Sequence, residues 1–362
     1  MSGRVLYLIP TLGSGGAERQ LVVLASALPE CGWDVEVGVV HGGVYLEALA
    51  ATGATIHRPS IRSNYDPRLL RELARIIRER KPDVVQTWLP QMDIAGGVVT
   101  RALRVPWVVS ERSSRTLHDA HAKRLLRDVV VHYATAVISN SQEGLRHWAR
   151  RHPAVPRHCV GNALALERFD ATPPAPEALA LRNGGRTAVV LAVGRLIEPK
   201  RFDTFIDVMK RVCGETDAVG VICGDGALEA PLRAYAQEAG IADRIVFAGF
   251  ITDIAGWMKA ADVVVGLSTH EGRPNAIIEA MACRTPLVVV DIPEYREAVD
   301  ESTARIVPRD DARIAAAILD VLRDRDAANA RAVRARDVAD HWSVHAIAEQ
   351  HAAIYDSLAQ RK

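Results

Sequence analysis

Short, nearly unbroken runs of valine, isoleucine and leucine, alternating with amphipathic stretches, constrain this chain more than any other feature. In the first half they fall at residues 5–9, 35–40, 84–87, 107–110 and 136–139. In the second half they fall at 188–193, 220–223, 245–248, 263–267 and 287–290. A run apolar at every position, rather than at every second one, is the mark of a parallel strand covered on both faces. Amphipathic helices are predicted between them at 17–28, 67–80, 202–212, 228–239 and 314–323. The pattern is βαβ alternation twice over. It breaks at 169–186, where Pro173, Pro174 and Pro176 precede Asn183-Gly184-Gly185, so this segment reads as a linker. The expected fold is α/β, with two doubly wound, Rossmann-like domains. The expected boundaries are 1–168 for the first domain, 169–186 for the linker and 187–340 for the second domain. A closing segment, 341–362, carries a helix with Trp342, Ile347, Ile354 and Leu358 on its apolar face. Ligands of such sheets bind beyond the carboxyl ends of the strands, so two domains facing each other would form a cleft with donor and acceptor on opposite walls.

Composition narrows the class. The chain has 362 residues and a net charge of +1, with no global basicity to suggest nucleic acid. Charge is uneven: residues 1–170 hold 22 Lys/Arg and 16 Asp/Glu, giving +6, and the rest hold 23 and 28, giving −5. The first half is the one suited to an anionic surface or acceptor. Five scattered cysteines fit a reducing compartment and support neither a disulfide framework nor a cysteine zinc site. Met1 leads straight into a short strand, without a cationic leader, and no apolar run nears 18 residues. A cytoplasmic location is expected.

Three segments carry candidate chemistry. Glu271 and Glu279 flank Gly272-Arg273-Pro274-Asn275-Ala276 between a strand and a helix. Free N–H groups of such a loop and the helix start make an anion site, and the flanking carboxylates suit sugar hydroxyls. A nucleotide sugar fits, with diphosphate in the middle, ribose on one side and hexose on the other. So does a capped helix with a surface glutamate. After the strand at 188–193 come Gly194, Arg195 and Lys200, two cations well placed for a diphosphate, or a solvated loop. Gly13-Ser14-Gly15-Gly16-Ala17-Glu18 follows the first strand. It lacks the third small residue of a dinucleotide fingerprint and the Lys-Ser/Thr of a Walker loop. What remains is a loop whose amides approach a phosphate, or an ordinary tight turn with an acidic residue at a helix start. Asp324-Arg325-Asp326 reads as a solvated helix face rather than a metal site, and His118 with His121 as surface residues. No nucleophile elbow is present. Basic, apolar-striped stretches at 118–132 (Lys123, Arg124, Arg127) and 145–151 (Trp148) can be membrane-surface or plain surface helices.

Together these segments resemble the retaining GT-B glycosyltransferases of glycosyltransferase family 4, in order along nearly the whole chain. Residues 13–18 resemble the family's glycine loop, 82–88 its acceptor-side segment, and 138–141 with Gly161-Asn162 the end of its first domain. Residues 193–200 are similar to its phosphate loop, 271–279 to its paired-glutamate motif, and 342–358 to a helix returning to the first domain. The resemblance implies that Arg195 and Lys200 hold the donor diphosphate and stabilise the leaving nucleotide without a metal. It implies that Glu279 binds ribose, that Glu271 contacts the transferred sugar, and that the backbone around Gly272, Asn275 and Ala276 touches sugar or phosphate. Gly15 and Gly16 would close over the phosphate. Relatives often carry a histidine within the segment matching 86–93. Here Gln86, Trp88 and Gln91 stand there, and Gln91 or the backbone is the expected substitute hydrogen-bonder. Arg273 stands where relatives usually have an apolar residue. The implied activity is metal-independent, retaining hexosyl transfer from a nucleoside-diphosphate sugar to a glycan or lipid-linked acceptor, with peripheral contact to the inner face of the cytoplasmic membrane if the acceptor is a lipid. A catalytically silent nucleotide-sugar binder and a GT-B nucleotide-sugar epimerase are the alternatives.

Overall fold

The computed structural model describes residues 3–59, 61, 63, 66–112 and 121–360. They form two compact units, one of residues 1–164 with 342–362 and one of residues 165–341.

The first unit is built on a seven-stranded parallel sheet. Its strands are β1 (Gly3–Thr11), β2 (Trp33–His41), β3 (Thr55–His57), β4 (Val84–Trp88), β5 (Trp107–Glu111), β6 (Ala136–Ser139) and β7 (Arg157–Cys159). Their order is β3-β2-β1-β4-β5-β6-β7. Val5 pairs with Val35 on one side and Val84 on the other. Side chains of β1 alternate between two cores, as the period of two requires. Val5, Tyr7 and Ile9 join the core that includes the helix Gly16–Ala27 and the closing helix Val344–Ala359. Leu6 and Leu8 join the core with Leu73 and Ile77 of Arg68–Arg80 and with Met92 and Val99 of Pro90–Leu103. Full burial of Ile347, Leu358 and their like contributes about 1.5–3 kcal/mol per side chain, and Ser343 caps the closing helix by accepting from Ala346 N–H. The closing segment is thus part of the first unit. Tyr355 Oη donates to Gln86 Oε1 at 2.5 Å, Trp33 Nε1 to Asp356 Oδ1 at 3.0 Å, and Leu164 N–H to the Trp342 carbonyl at 2.7 Å.

Each of the two basic stripes expected on the surface turns one of its named side chains inward. Residues 113–120, which include His118, lie outside the described residues, as does the side chain of His121. In the helix His121–Val131, Arg127 is buried. Its Nε meets Asp93 Oδ2 at 2.7 Å and its Nη1 meets Glu111 Oε2 at 3.0 Å. Trp148 is buried as well and donates from Nε1 to Glu111 at 2.9 Å. A periodicity count treats every arginine as polar surface; two buried carboxylates reverse that for Arg127.

The second unit holds a six-stranded parallel sheet of β8 (Ala188–Val193), β9 (Ala218–Cys223), β10 (Ile245–Gly249), β11 (Val263–Gly266), β12 (Leu287–Val290) and β13 (Arg305–Val307). Their order is β10-β9-β8-β11-β12-β13. Residues 169–186, read from sequence as a linker, are folded onto this unit. Phe169 and Ala178 are buried, Ala175 N–H donates to the Gly256 carbonyl at 2.9 Å, and Lys259 Nζ donates to the Thr172 carbonyl at 2.7 Å. Pro176 here starts the helix Pro176–Ala180 rather than stiffening a tether. Asp324 caps Arg325–Ala339 by accepting from Ala327 N–H, so this Asp-x-Asp carboxylate has a local structural partner.

Candidate active site

The strand order of the second unit reverses between β8 and β11, and ligands of open α/β sheets bind beyond the strand ends at such a reversal. The loops leaving these two strands carry Arg195, Lys200 and Glu271. The backbone laces them together, with Thr269 N–H donating to the Pro199 carbonyl at 2.8 Å. The side chains add a second tie: Lys200 Nζ donates to Glu271 Oε1 at 2.6 Å, and Ser268 Oγ donates to the same oxygen at 2.6 Å. Tyr295, buried beneath, accepts from Ser268 N–H at 3.3 Å. Burial first, and the nearby Glu271 charge second, hold its phenol far above the usual range.

Arg195 is exposed; its carbonyl accepts from Ile197 N–H at 2.8 Å, but no hydrogen bond or ion pair reaches its guanidinium among the described residues. Its loop is fixed by glycines. Gly194 has φ +156 and lies against the Lys200 stem, and a Cβ on Gly224 (φ +144) would overlap the Gly194 carbonyl oxygen. Leu196 N–H donates to the Asp225 carbonyl at 2.7 Å. Gly224-Asp225-Gly226, at the carboxyl end of β9, is therefore the scaffold of the cationic loop. Sequence reading passed over it, although a Gly-x-Gly directly after an apolar run is a readable sign.

Across the site, Gly272 is exposed and Pro274 precedes the helix Asn275–Ala282, whose first turn has no side-chain cap. Asn275 is its first residue, Ala276 its second, and Glu279, half-buried, lies one turn in. Arg273 is half-buried between them. The second unit thus gathers an unengaged guanidinium, an ammonium–carboxylate pair, a helix start without a side-chain cap and a second carboxylate. Among the described residues, no group of three or more His, Cys, Asp or Glu is arranged to hold a metal ion.

In the first unit the order reverses between β1 and β4. Gly15 is the N-cap of Gly16–Ala27, and a Cβ on Gly43 would overlap the Leu12 carbonyl, so Gly43 braces this loop closely. At the end of β4, Leu89 has φ 70 and ψ 147, a strained conformation for leucine. Gln91, half-buried, follows in the first turn of Pro90–Leu103. Gln86 is fully buried under Tyr355, and Trp88 lies under the Arg112 guanidinium at 4.6 Å. His351 of the closing helix is fully buried near this cluster, and burial with the Arg112 charge pushes it down to about 3.

Residues 187–324 match the family described as glycosyl transferases group 1, and residues 14–168 match Glycosyltransferase Family 4. The chain belongs to these glycosyltransferases. The lipopolysaccharide core biosynthesis glycosyltransferase LpsE of Rhizobium meliloti is 26% identical over 277 residues, covering 76% of this chain and 75% of its own. The mannosyltransferase LpsB of the same organism is 29% identical, covering 69% and 72%. Among solved structures, Anabaena HepE in complex with UDP superposes with a TM-score of 0.81 at 20% identity, covering 98% of this chain and 100% of that one. HepE has also been solved with UDP-glucose. This glycosyltransferase therefore has the GT-B fold, with a Rossmann-like sheet in each unit.

Proposed function

We propose that this glycosyltransferase moves a hexosyl group from a nucleoside-diphosphate sugar to a glycan or lipid-linked acceptor in lipopolysaccharide or surface-polysaccharide synthesis, with retention and without a metal ion. The observation that carries the reading is Arg195, an unengaged guanidinium on the exit loop of β8, beside the Lys200–Glu271 pair at the reversal point. As the glycosidic bond breaks, negative charge grows on the leaving diphosphate. A fixed guanidinium stabilises that charge more than it stabilises the donor, which is what lowers the barrier. Lys200 is held by Glu271 and shares its protons between that carboxylate and an arriving phosphate. Glu271 and Glu279 accept from hydroxyls of the sugar and the ribose, and the uncapped start of Asn275–Ala282 faces phosphate. The HepE complexes with UDP and UDP-glucose support a uridine donor, whereas LpsB is a mannosyltransferase, so a donor screen must include UDP- and GDP-sugars.

Peripheral membrane contact belongs to the same reading. No helix of the described residues is long and apolar enough to cross a membrane, but Leu125 (58%), Leu126 (55%) and Val129 (57%) are exposed on His121–Val131 beside Lys123 and Arg124. Such a face suits an anionic bilayer surface, and co-sedimentation with anionic but not zwitterionic vesicles tests it.

Thermal shift with UDP-, GDP- and ADP-sugars in the presence of a chelator, wild type beside Glu279→Ala, tests the donor site. A ligand at about 100 times its Kd stabilises by about 2.7 kcal/mol. One nucleotide class should stabilise the wild type and not the variant; no response to any of them sinks the reading.

A further inference from the structure

Three loops of the second unit converge on one carboxylate. Lys200 comes from the loop after β8, and Ser268 and Glu271 come from the loop after β11. Tyr295 comes from the short helix Pro293–Arg296 after β12. Lys200 Nζ and Ser268 Oγ both donate to Glu271 Oε1, each at 2.6 Å. The Glu271 side chain is 10% exposed, and Oε2, which takes no bond from the described residues, is not sealed from solvent. A carboxylate held in this way has a direction. An ammonium and a hydroxyl occupy the lone pairs of Oε1, and those of Oε2 are left for an incoming donor.

Ser268 can aim its hydroxyl only while its own backbone is fixed. Tyr295, 2% exposed, supplies that support by accepting from Ser268 N–H at 3.3 Å. Ser268 is equally buried, so the phenol spares its N–H from being left unpaired. The ring reaches this spot because residue 266 has no side chain; a Cβ on Gly266 would lie 2.9 Å from the Tyr295 hydroxyl. We propose that Tyr295 is a positioning residue for the transferred sugar. Through Ser268 it turns Glu271 so that Oε2 accepts from a hydroxyl of the hexosyl group, while Arg195 serves the diphosphate independently of it. The proposal rests on the transfer reading above and deepens it, dividing the site into a sugar-reading half and a phosphate-holding half.

The test is calorimetric titration of the full chain, wild type beside Tyr295→Phe. The ligand pairs are UDP with UDP-glucose, GDP with GDP-mannose and ADP with ADP-glucose. Tyr295→Phe keeps the ring and removes the acceptor of Ser268 N–H. It should weaken the sugar nucleotide about three- to tenfold and leave the matching nucleoside diphosphate unchanged. Ser268→Ala takes a donor from the carboxylate itself and should show the same split at about tenfold or more; it replaces Tyr295→Phe should that variant fail to fold. Arg195→Ala, by contrast, should weaken both members of the pair alike. Equal losses for both ligands in Tyr295→Phe would mean that the tyrosine only supports the loop, and they overturn the proposal, as does an unchanged affinity for the sugar nucleotide. A wild type that binds none of the pairs sinks the transfer reading itself, whereas a wild type that binds one pair and a variant without the split sink the role of Tyr295 alone.

Discussion

Replacing Asp93 with asparagine should remove a pH dependence of stability that the wild type carries between about pH 4 and pH 6. Asp93 is fully buried, accepts from Thr87 Oγ1 at 2.5 Å and from Arg127 Nε at 2.7 Å, and shares that guanidinium with Glu111. Two buried carboxylates on one cation leave a negative charge in excess. Burial raises the Asp93 carboxyl from 3.8 to about 6, more than Arg127 and Thr87 lower it. Between those values the folded protein holds a proton that the unfolded chain has released. The contribution is fully present below pH 3.8 and is lost as pH rises through about 6. The gap of roughly two pH units, at about 1.4 kcal/mol each, gives an upper value of about 3 kcal/mol. Carboxylates held low elsewhere, such as Glu36 beneath Arg80 and His57, act in the opposite direction and cancel when the variant is subtracted from the wild type. The assay is urea unfolding of both proteins across this pH range. The asparagine has its own cost, because its amide hydrogens replace an acceptor, but that cost offsets the curve without tilting it. A wild-type-minus-variant difference that stays flat from pH 4 to pH 6 would show Asp93 ionised throughout and refute the argument.

Other outcomes follow from the second unit. Lys200→Ala leaves Glu271 with Ser268 alone and should destabilise by about 2–3 kcal/mol, below the full buried-pair cost because the ammonium keeps some water; urea titration at neutral pH reads it. Arg195→Ala should change stability by no more than about 0.5 kcal/mol while weakening nucleoside-diphosphate binding about tenfold or more, measured by calorimetry. Gly224→Ala, with φ +144 and an overlap on the Gly194 carbonyl, should cost about 2 kcal/mol or more and disorder the Arg195 loop, so nucleotide affinity should fall with melting temperature.

The parallel strands were legible because burial on both faces leaves no polar position, as β1 shows from Val5 to Ile9. The strands that went unread, β3, β7 and β13, have three residues each, all at sheet edges with His57, Arg157 or Arg305 among their side chains, and too short for a period to emerge. The linker was misread because proline and glycine content says nothing of Phe169 and Ala178, whose burial is decided by a distant helix. Spacing put Glu271 and Glu279 around one loop, but the Lys200–Glu271 tie spans 71 residues, and only the topology of β8 and β11 brings the two loops together. Glu18 was read as a favourable charge at a helix start; that most of its side chain is covered depends on the curl of the glycine loop.

The closing helix has a consequence for biosynthesis. Because residues 342–362 complete the first unit, the second unit is an insertion within it, entered after Leu164 and left before Trp342. These two residues are joined by a backbone hydrogen bond of 2.7 Å. The first unit is therefore begun before the second and finished after it: Tyr7, Ile9 and Trp88 wait for Tyr355 and its neighbours while the entire inserted unit is translated. Loss of the segment that follows Trp342 would strip a wall from a core begun about 340 residues earlier, so an interruption late in the sequence is felt at its first strands.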